Sequence, residues 1–157
     1  MSALTHGNPT GYLSAGVLSY IVSEVLNGKE LEDIIKDSIE MIKEYEGHEE
    51  LHDKLSLVLD LNADDKDIAE AVDILEEGVD AHGVLSTALY ALLSDADSKD
   101  TLKIAANHSG ESSAVAAICG GIIGLDSGLD EFPEEWVENL ELSDFIVEMS
   151  DKLYNAK

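Results

Sequence analysis

The chain has 157 residues, 45% of them hydrophobic, and carries a formal net charge of −25 with nine lysines and no arginine. This length and apolar content allow one sizeable core, so we expect a single domain over residues 1–157. The charge opposes contact with nucleic-acid phosphates and anionic membranes, so we expect neither as a partner. A solvated acidic surface explains the charge most simply, and the alternatives are mimicry of DNA and docking onto a basic partner.

The single cysteine, Cys119, cannot form an internal disulfide, which fits a reducing compartment. It lies in an apolar segment, so we expect a buried and inert thiol. No segment has the length and apolarity of a membrane span, and the N-terminus shows no basic stretch before an apolar run. We therefore expect a cytoplasmic protein.

Apolar residues recur at helical spacing in nine segments, and no useful stretch alternates as a strand does. The predicted helices begin after Pro9, at Leu31, near Leu51, after a cap at Asp64 or Asp65, after Gly83, near Ser98, near Ser112, at Pro133 and after a cap at Ser143. The sequence thus predicts an all-α fold, a compact multi-helix domain. The seventh helix is apolar nearly all round, which predicts a place in the centre of the bundle.

A polar loop over residues 107–111 leads into this seventh helix. The first backbone N–H groups of a helix are unpaired and lie at the positive end of its dipole, which suits anions. Carboxylates at such a loop can hold a hard cation. A structural role also fits, because Ser112 or Ser113 would more often cap the helix than bind a ligand.

Residues 110–114 (Gly-Glu-Ser-Ser-Ala) resemble the C-terminal metal-binding motif of the ADP-ribosylglycohydrolase family, usually Gly-Asp-Ser/Thr-Asp-Ser/Thr. Residues 5–12 (Thr-His-Gly-Asn-Pro-Thr-Gly-Tyr) resemble the family's Thr-His-Gly-His-Pro loop. Residues 80–90 resemble the helix before the metal loop, and residues 132–136 and 140–142 resemble the segments after it. Taken in order, these matches cover almost the whole chain.

The resemblance implies an all-α protein that uses two Mg²⁺ ions to hydrolyse ADP-ribosyl glycosidic bonds. Members are about twice as long, and this chain resembles their C-terminal half, without the Gly-Asp and Thr-Asp-Asp-Thr motifs of the other half. The resemblance assigns ligand binding to His6, Gly7, Asn8, Tyr12 and His108. It assigns metal ligation to Glu111, Ser112 and Ser113, and it leaves the catalytic residues unknown.

The metal motif is degenerate, because Ser113 and Ala114 replace an acidic and a hydroxyl residue. Two Mg²⁺ ions need several carboxylates, and the loop offers only Glu111. We therefore expect a glycohydrolase-like protein that is truncated and catalytically impaired on its own. The alternatives are a pseudoenzyme that binds ADP-ribose or a protein, and an acidic inhibitor that blocks a basic partner. A homodimer, or a partner chain supplying the missing half, is expected.

Residues 48–52 (His-Glu-Glu-Leu-His) match the short pattern of zinc peptidases, in which two histidines one helical turn apart bind zinc. A peptidase would need a third ligand and an apolar helix around the motif. The preceding residues 43–47 are mostly charged or polar, and no third histidine follows at the expected spacing. A solvated helix surface is the simpler interpretation.

Overall fold

The computed structural model describes residues 1–64, 66–75, 80–94 and 96–156. All regular structure in these residues is helical, which confirms the all-α prediction. The α-helices are α1 (Pro9–Leu26), α2 (Leu31–Ile42), α3 (Glu49–Ala63), α4 (Ile68–Leu75), α5 (Ala81–Leu93), α6 (Ser98–Ala106), α7 (Ser112–Ser127), α8 (Glu134–Glu138) and α9 (Ser143–Asn155). Two short 3₁₀ helices, Ser2–Leu4 and Leu129–Glu131, precede α1 and α8.

Helix starts follow local chemistry, with two departures from prediction. The expected cap Asp64 instead ends α3, and Asp65 lies outside the described residues. The cap of α4 is Asp67, whose carboxylate accepts hydrogen bonds from the backbone N–H groups of Ala69 and Glu70. Ser143 is the first residue of α9 rather than its cap. The cap position belongs to Leu142, which has a left-handed φ of 63°.

The core forms where α1, α5 and α7 contact one another. Helices α2, α3 and α4 pack along the α1 and α5 side, and α6 packs against α5 and α7. One buried cluster draws on α1 to α5 with Ile122 of α7, and a smaller cluster lies between α5, α6 and α7. The fully buried large side chains are Val17, Ile21, Ile34, Ile35, Ile42, Leu51, Leu55, Val58, Leu75, Leu85, Leu89 and Val115.

Two cavities show that α1, α5 and α7 run in the same direction. One cavity is lined by the first half of α1, by the first turns of α5 and by Ile118 of α7. The other is lined by Val25 in the last turn of α1, by Lys29 after that helix, by Leu92 of α5 and by the last turns of α7. Because each helix passes from the first cavity to the second, all three begin at one end of the bundle. We call this end the shared N-terminal end.

Helix α7 is less central than its sequence predicts. Val115, Cys119 and Ile122 are buried, but Ala117 and Gly121 are exposed, one turn apart on the opposite face. Ala117 and Gly121 have small side chains, so this face exposes little apolar area to water. Helix α7 therefore contributes one face to the core, in contact with α1, α5 and α6, and leaves the other face exposed.

The thiol of Cys119 is fully buried and donates a hydrogen bond to the carbonyl of Ala88 at 3.5 Å. Burial raises its pKa to about 12, because the thiolate would lose its hydration. This confirms the expected buried thiol. In the described residues, no helix combines the length and apolarity needed to cross a membrane.

Helices α8 and α9 lie outside the core. Every residue of α9 after Ser143 is exposed, and the helix makes at most marginal contact with other elements. Large apolar side chains nevertheless line this segment. The exposed ones are Leu129, Trp136, Leu140, Leu142, Phe145, Ile146, Val147, Met149, Leu153 and Tyr154.

Candidate functional site

Three loops lie at the shared N-terminal end: residues 5–8 before α1, Asp80 before α5 and residues 107–111 before α7. The positive ends of three helix dipoles therefore lie together. The side chains of Asp80 and Glu111, at the cap positions of α5 and α7, make no capping hydrogen bond. This end thus combines backbone N–H donors with the carboxylates of Asp80 and Glu111.

The imidazole of His6 is exposed at this end, and its neighbours fix its tautomer. The hydroxyl of Thr5 donates its one proton to the carbonyl of Ser2 at 3.2 Å. The contact of 2.9 Å between His6 Nδ1 and Thr5 Oγ1 is therefore donated by the imidazole. Nε2 of His6 keeps a lone pair, so it can accept a hydrogen bond from a ligand hydroxyl.

The other predicted ligand-binding residues of the first loop have mainly structural surroundings. Asn8 caps α1, because its side-chain oxygen accepts a hydrogen bond from the N–H of Thr10 at 3.2 Å. Tyr12 is half-buried and packs against the main apolar cluster. Gly7 is exposed with open space around it.

The loop before α7 holds the remaining predicted residues. His108 is half-buried, and its Nδ1 accepts a hydrogen bond from the N–H of Gly110 at 3.3 Å. The neutral imidazole therefore carries its proton on Nε2. Glu111 is exposed at the cap position, followed by half-buried Ser112 and exposed Ser113. His6, Asn8, His108 and Glu111 accordingly lie at the same end of the bundle, although they come from distant parts of the chain.

The residues of this loop do not fit a pair of Mg²⁺ ions. Among residues 1–64, 66–75, 80–94 and 96–156, no group of three or more histidine, cysteine or acidic side chains could hold a metal ion. Glu111 is the single carboxylate within the motif, and Ala114 has no donor atom. Since Mg²⁺ requires several oxygen ligands with near-octahedral geometry, the described side chains fall short of that donor set.

A cavity of about 300 Å³ lies just inside the shared N-terminal end, and it is almost entirely apolar. His6, Gly11, Ser14 and Ile118 are among its lining residues. The hydroxyl of Ser14 is buried there without a hydrogen-bond partner. Nδ1 of His82, in the first turn of α5, is likewise buried and unpaired, although His82 does not line this cavity. Buried polar atoms are normally paired, so both mark places where water or a ligand atom would be stabilised.

Sequence reasoning missed Ser14 and His82. Each occupies a helical position whose exposure depends on which neighbouring helices cover it. His82 lies within residues 80–90, but the family resemblance of that segment assigned it no role, and no spacing distinguishes Ser14 from an ordinary surface residue.

The two histidines of the peptidase-like pattern lie at the start of α3. His48 is at the cap position, His52 is one turn later, and both are half-buried. The described residues bring no third histidine, cysteine or acidic ligand to them. The pattern therefore lacks the three-ligand set of a catalytic zinc site.

The sequence model of the ADP-ribosylglycohydrolase family matches residues 1–157, so this chain belongs to that family. An uncharacterized protein of Archaeoglobus fulgidus is 33% identical over 90 residues, which cover 57% of this chain. The matched region spans only 29% of the length of that relative. No solved structure matches the chain.

Proposed function

We propose that this chain forms one side of an ADP-ribosyl-binding site and does not hydrolyse the glycosidic bond by itself. Membership of a glycohydrolase family supports the substrate class. The lack of hydrolysis by the isolated chain is supported by the small number of metal-binding side chains. Glu111 is the only carboxylate of the metal motif, and no cluster among the described residues could hold a metal ion. This shortage of carboxylates is the observation that carries the proposal.

The shared N-terminal end has the chemistry to bind such a ligand. ADP-ribose carries a pyrophosphate, and the backbone N–H groups that begin α5 and α7 suit an anion. Its ribose hydroxyls can donate to Nε2 of His6, whose other nitrogen is held by Thr5.

A partner chain is part of the proposal. Ala117 and Gly121 expose a small-residue face on α7, and α8 and α9 expose a row of large apolar side chains. Monomeric proteins rarely leave contiguous apolar patches of this kind uncovered. The partner is a second copy of this chain or a chain that supplies the missing carboxylates. Light scattering at several concentrations tests this part, and a monodisperse monomer at high concentration would contradict it.

Calorimetric titration of ADP-ribose, with and without Mg²⁺, tests the binding. We expect binding that does not require Mg²⁺ and no release of ribose products over hours. His6→Ala should weaken binding, whereas His52→Ala removes an imidazole from α3 and should leave it unchanged. Binding that requires Mg²⁺, followed by turnover, would contradict the proposed impairment. Absence of binding would refute the substrate class for the isolated chain.

The alternative of an acidic inhibitor has one observation in its favour. The exposed segment over residues 129–155 combines apolar side chains with many carboxylates and only one lysine, Lys152. A basic partner would be attracted to it by a force that weakens with salt. Strongly salt-dependent binding to a basic protein, together with indifference to ADP-ribose, would favour this alternative.

A further inference from the structure

The start of α3 carries two imidazoles whose environment is that of metal ligands. His48 and His52 are separated by one helical turn, so their side chains lie on the same face. Their rings meet edge to face, with centroids 6.2 Å apart. Leu51 and Leu55, three and seven residues after His48, lie on the adjoining part of the same helix side and are fully buried, which anchors the helix in the core. The two rings are thus presented by a rigid support.

Hydrogen bonds fix the tautomer of both rings in the same way. Nδ1 of His48 is 2.8 Å from the carbonyl oxygen of Tyr45, and Nδ1 of His52 is 3.2 Å from the carboxylate of Asp53. A carbonyl or carboxylate oxygen can only accept, so each Nδ1 carries the proton and donates it. Both Nε2 atoms therefore keep a lone pair. Metal-binding histidines usually have this arrangement, with the second nitrogen donating to a carbonyl or carboxylate.

The local charge favours a cation. Glu44, Glu46, Glu49, Glu50 and Asp53 surround the pair in sequence, and all five are exposed. A tetrahedral ion at about 2.1 Å from each Nε2 would hold the ring centroids roughly 5 Å apart. The distance between the ring centroids would therefore decrease by about 1 Å, which small rotations of the two side chains can provide.

We propose that His48 and His52 form a two-histidine surface site for a divalent transition-metal ion of the Zn²⁺, Ni²⁺ or Cu²⁺ class. Imidazole nitrogens suit these ions, whereas Mg²⁺ and Ca²⁺ prefer oxygen ligands. Water completes the coordination, because the described residues supply no third side chain. The site is a binding site and not a peptidase centre. It does not depend on the proposed ADP-ribosyl function.

Calorimetric titration with Zn²⁺ alone, at pH 7.5 and physiological salt, tests the site. We expect one ion per chain, and a loss of affinity of about tenfold or more in His48→Asn and in His52→Asn. These variants do not alter the formal charge. Asp53→Ala should give an affinity between the parent and the histidine variants, because it removes the acceptor that orients His52.

Three controls separate coordination from attraction to an acidic surface. Glu46→Gln removes a nearby charge but no ligand, and His6→Asn removes an imidazole elsewhere, so both should bind Zn²⁺ within about twofold of the parent. An excess of Mg²⁺ should not displace Zn²⁺.

Undiminished Zn²⁺ binding in the His48→Asn/His52→Asn double variant would overturn the proposal, as would equal displacement by Mg²⁺. Circular dichroism of each variant shows whether the helices are intact. The substitutions are at half-buried positions outside the core, so we expect unchanged helicity.

Discussion

Lys54 is the residue whose removal tests the tertiary packing most directly. It extends from α3 to the end of α4, where its ammonium group donates to the carbonyl oxygens of Ile74 and Leu75 at 3.3 and 2.9 Å. These carbonyls belong to the last two residues of α4, Ile74 and Leu75. The positive charge also interacts favourably with the negative end of the helix dipole.

Lys54→Met keeps most of the apolar stem and removes the charge. A hydrogen bond from a charged donor contributes about 1.5–3 kcal/mol, and a cation at a helix C-terminus contributes about 0.3–1 kcal/mol. Because the group is only partly buried, we expect the free energy of unfolding to fall by about 2 kcal/mol. For a chain of this size, that corresponds to a decrease in Tm of roughly 4–8 °C.

The matched control is Lys152→Met, which makes the same change in net charge. Lys152 pairs with Glu148 one turn away on α9, and both side chains are 62% exposed. Such a pair contributes about 0.3–0.5 kcal/mol. Urea denaturation of both variants, followed by circular dichroism, measures the difference. If the two variants lose the same stability within about 0.5 kcal/mol, the loss comes from net charge alone and the capping role of Lys54 is refuted.

Three further predictions concern single side chains. Burial raises the pKa of Cys119 to about 12, so the folded chain keeps a proton that the unfolded chain releases near pH 9. The free energy of unfolding should therefore fall above pH 9 by about 1.4 kcal/mol per pH unit relative to Cys119→Ala, and parallel pH profiles would contradict this. Gly28 and Gly47 share a φ of 77°, but a Cβ on Gly47 would lie 2.6 Å from the ring of Pro9, whereas Gly28 has open space. In urea denaturation, Gly28→Ala should lower the free energy of unfolding by about 1 kcal/mol and Gly47→Ala by at least about 2 kcal/mol. Equal losses in the two variants would exclude the contact with Pro9. Ser14→Ala removes a buried hydroxyl without a partner, so stability should rise by up to about 1 kcal/mol, whereas a loss of that size would indicate a bound water.

Some features of this fold could be predicted from short-range sequence patterns. Each α-helix was expected near its observed start, because apolar spacing, Pro9 and short polar residues act within one or two turns. The errors were equally local. Asp67 rather than Asp64 caps α4, and Ser143 follows the cap position instead of occupying it, because several polar residues competed for each start.

The candidate site shows the limit of prediction from motifs. The family motifs identified the loops that contain His6 and Glu111, but they gave no information on the tautomer of His6. That tautomer depends on the order of donors from His6 through Thr5 to the carbonyl of Ser2. Likewise, the histidine pattern on α3 indicated two imidazoles, and only the structure showed which nitrogen of each has its lone pair.

The sequence by itself determined the helical class, the approximate helix starts, the acidic charge and the shortage of carboxylates in the metal motif. These properties depend on residue identity and on interactions within a few residues. Only the tertiary structure decided that α1, α5 and α7 begin at one end, that Ser14 is buried and that α9 leaves its apolar face exposed. Periodicity shows that a helix has an apolar face, but burial of that face requires neighbouring helices, and their arrangement depends on contacts between distant parts of the chain.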